Sequence, residues 1–365
     1  MNGSKDIKYF PNLDGLRFVG AMAILILHIE SIKILKGITP MRWVMHFHPL
    51  GNLAVCMFFV LSGFLITYLL LKERENTDTI NLKGFYLKRI LKIWPLYFFI
   101  LLFGILVMPW LSDLPIGEKA HLALLPILLY CLFLPSRMFQ YGTGAAWSVR
   151  VEEAFYLFWP LLLRRYKNYL MVFAWVVLIV VFARNATGYM ERFFPSHWMR
   201  VISNEVRDYS FSCMAIGGLG AYLFIKDKRE VLSVIYRKDA QWAVYIGTAL
   251  LLAFLVQIPF INNEFYSVLF AFIIVNLATN PNSVIRLDYK WMSYLGKVSY
   301  GIYMYNPFMR VFSLHLTMWM FGNNVTGILP NLVLYTATII TSIIISVISF
   351  ELFEKRFLNL KKRFA

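Results

Sequence analysis

Long apolar runs alternate with short basic punctuation along the whole chain. Runs that approach the roughly 20 apolar residues a membrane span needs fall at 16–36, 53–71, 93–110, 146–163, 169–184, 209–225, 241–257, 264–279, 297–320 and 328–352. One further apolar stretch, 122–135, is short, with Pro126 in its middle and Pro135 at its end. Cationic clusters separate several runs: Lys72 to Arg74, Lys83 to Lys92, Arg164 to Lys167, Lys226 to Arg229 and Lys355 to Arg363. The pattern predicts an all-α fold, a polytopic membrane helical bundle of about ten transmembrane helices.

Parity settles how the short stretch is treated. Basic loops stay cytoplasmic, so with a cytoplasmic N-terminus two crossings return the chain at the 72–92 cluster. An even number of crossings must then separate that cluster from the one at 164–167. The runs 93–110 and 146–163 supply them. The stretch 122–135 is expected to be a re-entrant or interfacial segment, shielded by protein or lining a cavity. Both termini are expected in the cytoplasm, and residues 1–365 are expected to form a single membrane domain, since no linker or repeat divides them.

Composition agrees. The chain is 59% hydrophobic and 15% charged, with a mean hydropathy of +0.61. Soluble domains average about 45–50% and 25%, and the excess apolar surface has to face lipid. A net charge of +16 would fit a nucleic-acid partner, but its placement at span ends is the positive-inside pattern instead. The same cationic rim would attract a polyanionic substrate. Cys56, Cys131 and Cys213 have no paired spacing and read as buried thiols. The basic start and first apolar run resemble a signal peptide, but Arg17 and His28 interrupt the run and no small-residue cleavage site follows. It is expected to remain as the first span.

Ionisable residues inside spans are costly and point to function. Asp14, Arg17 and His28 lie in the first run. Arg17 and His28 are eleven residues apart, which returns them to within about 20° on a helix, roughly 16 Å apart along its axis. A snorkelling arginine and a hydrogen-bonded structural histidine would leave the same pattern. Ser62-Gly63 would let two helices approach closely. Lys88, Arg89 and Lys92 open the third span, as phosphate-binding cations or as topological anchors. Ser148, Arg150, Glu152 and Glu153 enter the fourth, where adjacent carboxylates point to different faces, as a structural ion pair or as site residues. Tyr300, Tyr303 and Asn306 lie along a late span. His46 and His48 share an external loop that lacks a third metal ligand, and no metal site is expected. Read this way, the chain is an enzyme or, alternatively, a membrane transporter or exporter with His28, Arg17 and Glu152 on a proton or substrate path.

Five stretches together resemble the acyltransferase 3 family of bacterial membrane acyltransferases: LDGLR with His28 eleven residues after Arg17; FFVLSGFLIT; FYLKRILKIWPLY; WSVRVEEAFYL; and SYGIYMYNP. They run in family order along almost the whole chain. The resemblance implies an integral-membrane O-acyltransferase of the bacterial cytoplasmic membrane, with acetyl-CoA or another acyl-CoA as donor and a sugar, glycan or glycolipid hydroxyl as acceptor. It assigns the essential histidine to His28, its partner arginine to Arg17 and the conserved glutamate to Glu152. The basic donor-phosphate motif falls on Arg89 and Lys92, where a lysine has lost the planar fork of arginine. Asn306 stands where the family usually has histidine. Within this reading His28 is the general base, with Glu152 or Asp14 orienting it. Lys88, Arg89, Lys92 and Arg17 hold the donor, and Ser148, Tyr300 or Asn306 serve the substrate as oxyanion donors. An acyl-histidine relay is a second route. The extra extracellular SGNH-type domain of many members is not expected here.

Overall fold

The computed structural model describes residues 7, 9–106, 146–322 and 325–361. Every regular element among them is helical, as the apolar periodicity requires. In chain order they are α1 (Pro11–Leu35), α2 (Arg42–Phe47), α3 (Leu50–Thr77), α4 (Leu82–Leu106), α5 (Ala146–Arg165), α6 (Tyr169–Phe193), α7 (His197–Asp208) and α8 (Phe211–Ile225). Then come α9 (Arg229–Tyr236), α10 (Lys238–Ala253), α11 (Asn262–Thr279), α12 (Lys290–Lys297), α13 (Ser299–Phe321), α14 (Ile328–Ser349), a π-helical turn (Phe350–Glu354) and α15 (Lys355–Lys361). Among the described residues each of the ten apolar runs falls on a helix. The segment 122–135, with Cys131, lies outside the described residues, as does the end of the run 93–110.

The expected count of ten crossings is not reached. Among the described residues four stretches are long and apolar enough to cross a membrane: Pro11–Leu35, Arg42–Thr77, Tyr169–Phe193 and Ile328–Leu360. Two reasons for the shortfall are visible in the sequence. Helix α5 carries Arg150, Glu152, Glu153, Arg164 and Arg165 within its 20 residues. Helices α8 and α10 have 15 and 16 residues, so they reach only about 22–24 Å against a hydrocarbon core of about 30 Å. The apolar helices remain those of a polytopic membrane bundle. Trp175, Leu178, Ile179 and Phe182 of α6 all face outward, as a lipid-facing helix demands.

The described chain is organised in two compact units, each assembled from three separated stretches. The first comprises residues 1–17, 52–82 and 151–294, and the second 18–51, 83–150 and 295–365. In the first unit α3 and α8 pack backbone to backbone. A Cβ on Gly63 would lie 1.9 Å from the Met214 carbonyl oxygen, and one on Gly217 1.9 Å from that of Val60. The close approach expected from Gly63 is therefore present. Cys56 and Cys213 are buried free thiols, with Sγ atoms 3.4 Å apart. Arg184 pairs with Glu264 at 2.6 Å, and Ser212 donates to the same carboxylate at 2.6 Å.

In the second unit α13 lies along α14. The α14 face contains the fully buried Thr338, Ser342 and Ser346, small residues one turn apart that let the helices close up. Thr338 and Ser346 return their hydroxyls to the carbonyls of Leu334 and Ser342, so burial leaves neither hydroxyl unsatisfied. A buried ion pair joins Glu30 and Lys33 of α1 at 3.0 Å. Tyr335 and the Met41 amide donate to Glu30 at 2.9 and 2.8 Å, and Lys33 also bonds Asn331. Both charges are fully removed from solvent, which is tolerable only because each is paired and hydrogen-bonded.

Candidate active site

The second unit holds the histidine of the first span. Four residues back along α1, the Ile24 carbonyl lies 2.8 Å from His28 Nδ1. A carbonyl only accepts, so Nδ1 carries the proton and Nε2 keeps its lone pair. The ring is half-buried. Glycine at position 51 leaves room for the ring where it stands, since a Cβ there would lie 2.5 Å from the ring carbon Cε1. His48 stands alongside, with ring centroids 5.0 Å apart. From sequence it looked like half of an incidental loop pair.

Arg310 of α13 completes this cluster. Its Nη1 donates to the His28 carbonyl at 2.6 Å and to Ser31 Oγ at 2.5 Å, while Ser31 donates to the same His28 carbonyl at 2.6 Å. The charge lies within electrostatic range of both imidazoles. Sequence reasoning stopped at Tyr303 and Asn306. Yet Tyr303, Asn306 and Arg310 follow the i, i+3, i+7 spacing of one helix face, and an arginine within a predicted span was the signal that would have found it.

That face collects other expected residues. Ser148 of α5 and Tyr303 share a hydrogen bond of 2.8 Å. Asn306 is buried, and its Oδ1 finds no partner among the described residues. Tyr300 donates to the Ile93 carbonyl of α4 at 3.2 Å. Lys88, Arg89 and Lys92 occupy about 100° of arc on α4. Arg89 lies over the Phe85 ring, 5.6 Å from its centroid, while Lys92 is exposed and within electrostatic reach of Glu354.

The remaining expected residues belong to the first unit. Arg17 pairs with Asp14 at 2.8 Å, and Tyr9 donates to the other Asp14 oxygen at 2.6 Å. Burial and this bond push the Tyr9 hydroxyl up to about 12, so it remains a donor at any physiological pH. Asp14 thus holds the arginine in place. Glu152 accepts from Ser62 at 2.8 Å and from Tyr156 at 3.2 Å. Ser62 therefore does more than permit helix packing.

A helical membrane protein with a half-buried, singly protonated imidazole beside hydroxyls and cations is equipped for proton transfer at an oxygen nucleophile. The sequence profile of the acyltransferase 3 domain matches residues 10–351. The chain belongs to the acyltransferase 3 family. Peptidoglycan O-acetyltransferase OatA of Listeria monocytogenes is 23% identical over 326 residues, 82% of this chain and 49% of that protein. O-acetyltransferase OatA of Staphylococcus aureus (strain NCTC 8325 / PS 47) is 27% identical over 323 residues, 82% of this chain and 50% of its own length. A protein of Staphylococcus aureus (strain COL) is 30% identical over 173 residues, 44% of this chain and 25% of that protein. The chain thus spans half or less of the length of these relatives. No solved structure matches it.

Proposed function

We propose that the protein is an O-acyltransferase of the bacterial cytoplasmic membrane, multi-pass with both termini cytoplasmic, which moves an acyl group from acyl-CoA to a hydroxyl of a sugar or glycan. Membership of the family supports the reaction class, the names of the two OatA relatives support acetyl as the acyl group, and that of the Listeria relative supports a glycan as acceptor. The observation that carries the mechanism is the His28 tautomer, because the Ile24 carbonyl fixes the proton on Nδ1 and leaves Nε2 as base.

In this reading Nε2 accepts the proton of the acceptor hydroxyl as its oxygen attacks the thioester carbonyl. The new oxygen–carbon bond forms, the carbon–sulfur bond breaks, and the imidazolium returns its proton to the departing thiolate. Tyr303 and Asn306, on the helix face that carries Arg310, donate to the oxyanion, with Ser148 holding Tyr303. Tyr300 is committed to the α4 backbone and supports that face. The Ile24 carbonyl takes the orienting role in which a carboxylate serves a catalytic triad. Asp14 orients Arg17, and Ser62 and Tyr156 orient Glu152.

The cations of α4 fit a donor rich in phosphates. Lys88 and Lys92 act as point charges, and only Arg89 offers a planar fork. Arg89→Ala should weaken acetyl-CoA binding about tenfold, or ~1.4 kcal/mol, with little change in thermal stability. Titration of the purified protein with acetyl-CoA checks this, and an unchanged affinity would return Arg89 to a topological anchor. The same titration separates enzyme from exporter, since a protein that neither binds nor consumes acyl-CoA would favour the transport reading.

A further inference from the structure

Arg310 raises a charge problem that the mechanism above leaves unsolved. Its guanidinium lies on α13 between helices of the second unit, and among the described residues both of its hydrogen bonds go to neutral acceptors. It forms no ion pair with a carboxylate among the described residues, and its Nε is buried without an acceptor among them. Contrast Lys33, one turn beyond His28, whose charge is met by Glu30. An uncompensated cation with a buried, unpartnered Nε is costly, and proteins keep such groups where something else supplies the counter-charge. The cost rises during the reaction. When His28 takes the acceptor's proton, an imidazolium appears within electrostatic range of the guanidinium, and like charges oppose that step.

One arrangement resolves both difficulties. We propose that Arg310 is the anion-recognition residue of the acceptor site, and that the acceptor carries a carboxylate or phosphate on the acylated sugar or its immediate neighbour. The anion would take the orphaned Nε edge of the guanidinium, which suits oxyanions through its fork of donors. The amide of Asn306, one turn away on the same face, supplies further polar contact. Docking then does chemical work, because the acceptor's own anion cancels the charge that opposes protonation of His28. A neutral sugar would reach the same base with the guanidinium unscreened and react more slowly. The inference rests on the acyltransferase reading above.

The test uses the full-length protein in membranes of its host. These are incubated with labelled acetyl-CoA, and the labelled product is isolated, fragmented to the acylated residue and its neighbours, and resolved by anion exchange and mass spectrometry. The expected product carries a carboxylate on or beside the acetylated sugar, or a phosphate there, and the two are told apart by mass and by phosphatase treatment. Arg310→Lys, which keeps the charge, should retain transfer within about fivefold of wild type. Arg310→Gln, which keeps hydrogen-bond donors without charge, should fall at least about twentyfold while acetyl-CoA affinity stays within twofold. If Arg310 only braces the His28 carbonyl, glutamine would serve as well as lysine, and that result overturns the proposal. A labelled product that is neutral around the acetyl group also overturns it. Acetyl-CoA binding with no labelled product anywhere defeats the acyltransferase reading itself, and this inference with it.

Discussion

At the scale of single residues, the site is built from backbone as much as from side chains. The Ile24 carbonyl sets the His28 tautomer, and the missing side chain of Gly51 makes room for the ring. Gly51→Ala should therefore turn the imidazole away from its bond to Ile24. Transfer should fall at least about tenfold, since general-base catalysis depends on hydrogen-bond geometry, while thermal stability changes little because a ring can swing aside. Activity assays paired with a melting curve check this; full activity would mean the ring position is not critical. The buried Glu30–Lys33 pair makes a different prediction. Glu30→Ala should cost about 3–5 kcal/mol by stranding a charge, whereas the double change Glu30→Leu with Lys33→Met should recover most of it. Unfolding in mixed detergent reads both. Equal losses in the single and double variants would contradict the charge-stranding account.

At the scale of helices, packing depends on residues that are nearly absent as side chains. Helices α3 and α8 touch through Gly63 and Gly217, and α13 meets the Thr338, Ser342 and Ser346 stripe of α14. Gly63→Ala has no room to relax, because the obstacle is the Met214 backbone. It should lower stability by about 1–3 kcal/mol through overpacking, and α3 would shift with Ser62 on it. Melting of the purified variant measures the first effect, and partial loss of transfer the second. A fully stable variant would show that α3 and α8 separate freely.

Across the whole molecule, the helices were legible because apolar runs in so hydrophobic a chain have few other solutions. The crossing count was not. Parity favoured α5 as a crossing although it is loaded with five charges, and apolar runs alone made spans of helices as short as α8 and α10. Small amphipathic helices such as α7, α9 and α12 went unseen, because apolar length was the signal being followed. The candidate residues were partly legible. His28 and Arg17 stood out as ionisable groups in a lipid-length run, and the family motifs singled out Glu152 and the α4 cations as candidates. Arg310 was legible as an ionisable residue in a predicted span but was passed over, whereas the room left by Gly51 and the approach of His48 to His28 depend on contacts between separated segments that no local spacing encodes.

The central claim is that one imidazole nitrogen, left unprotonated by its neighbour's carbonyl, removes the proton from the acceptor. Host membranes carrying wild-type or His28→Ala protein, matched for expression and given labelled acetyl-CoA, test it most directly. Label should enter a glycan or glycolipid fraction with the wild type. It should fall by at least ~100-fold with the variant, in the range a general base contributes, while acetyl-CoA binding persists. Equal labelling by the two proteins would contradict the account.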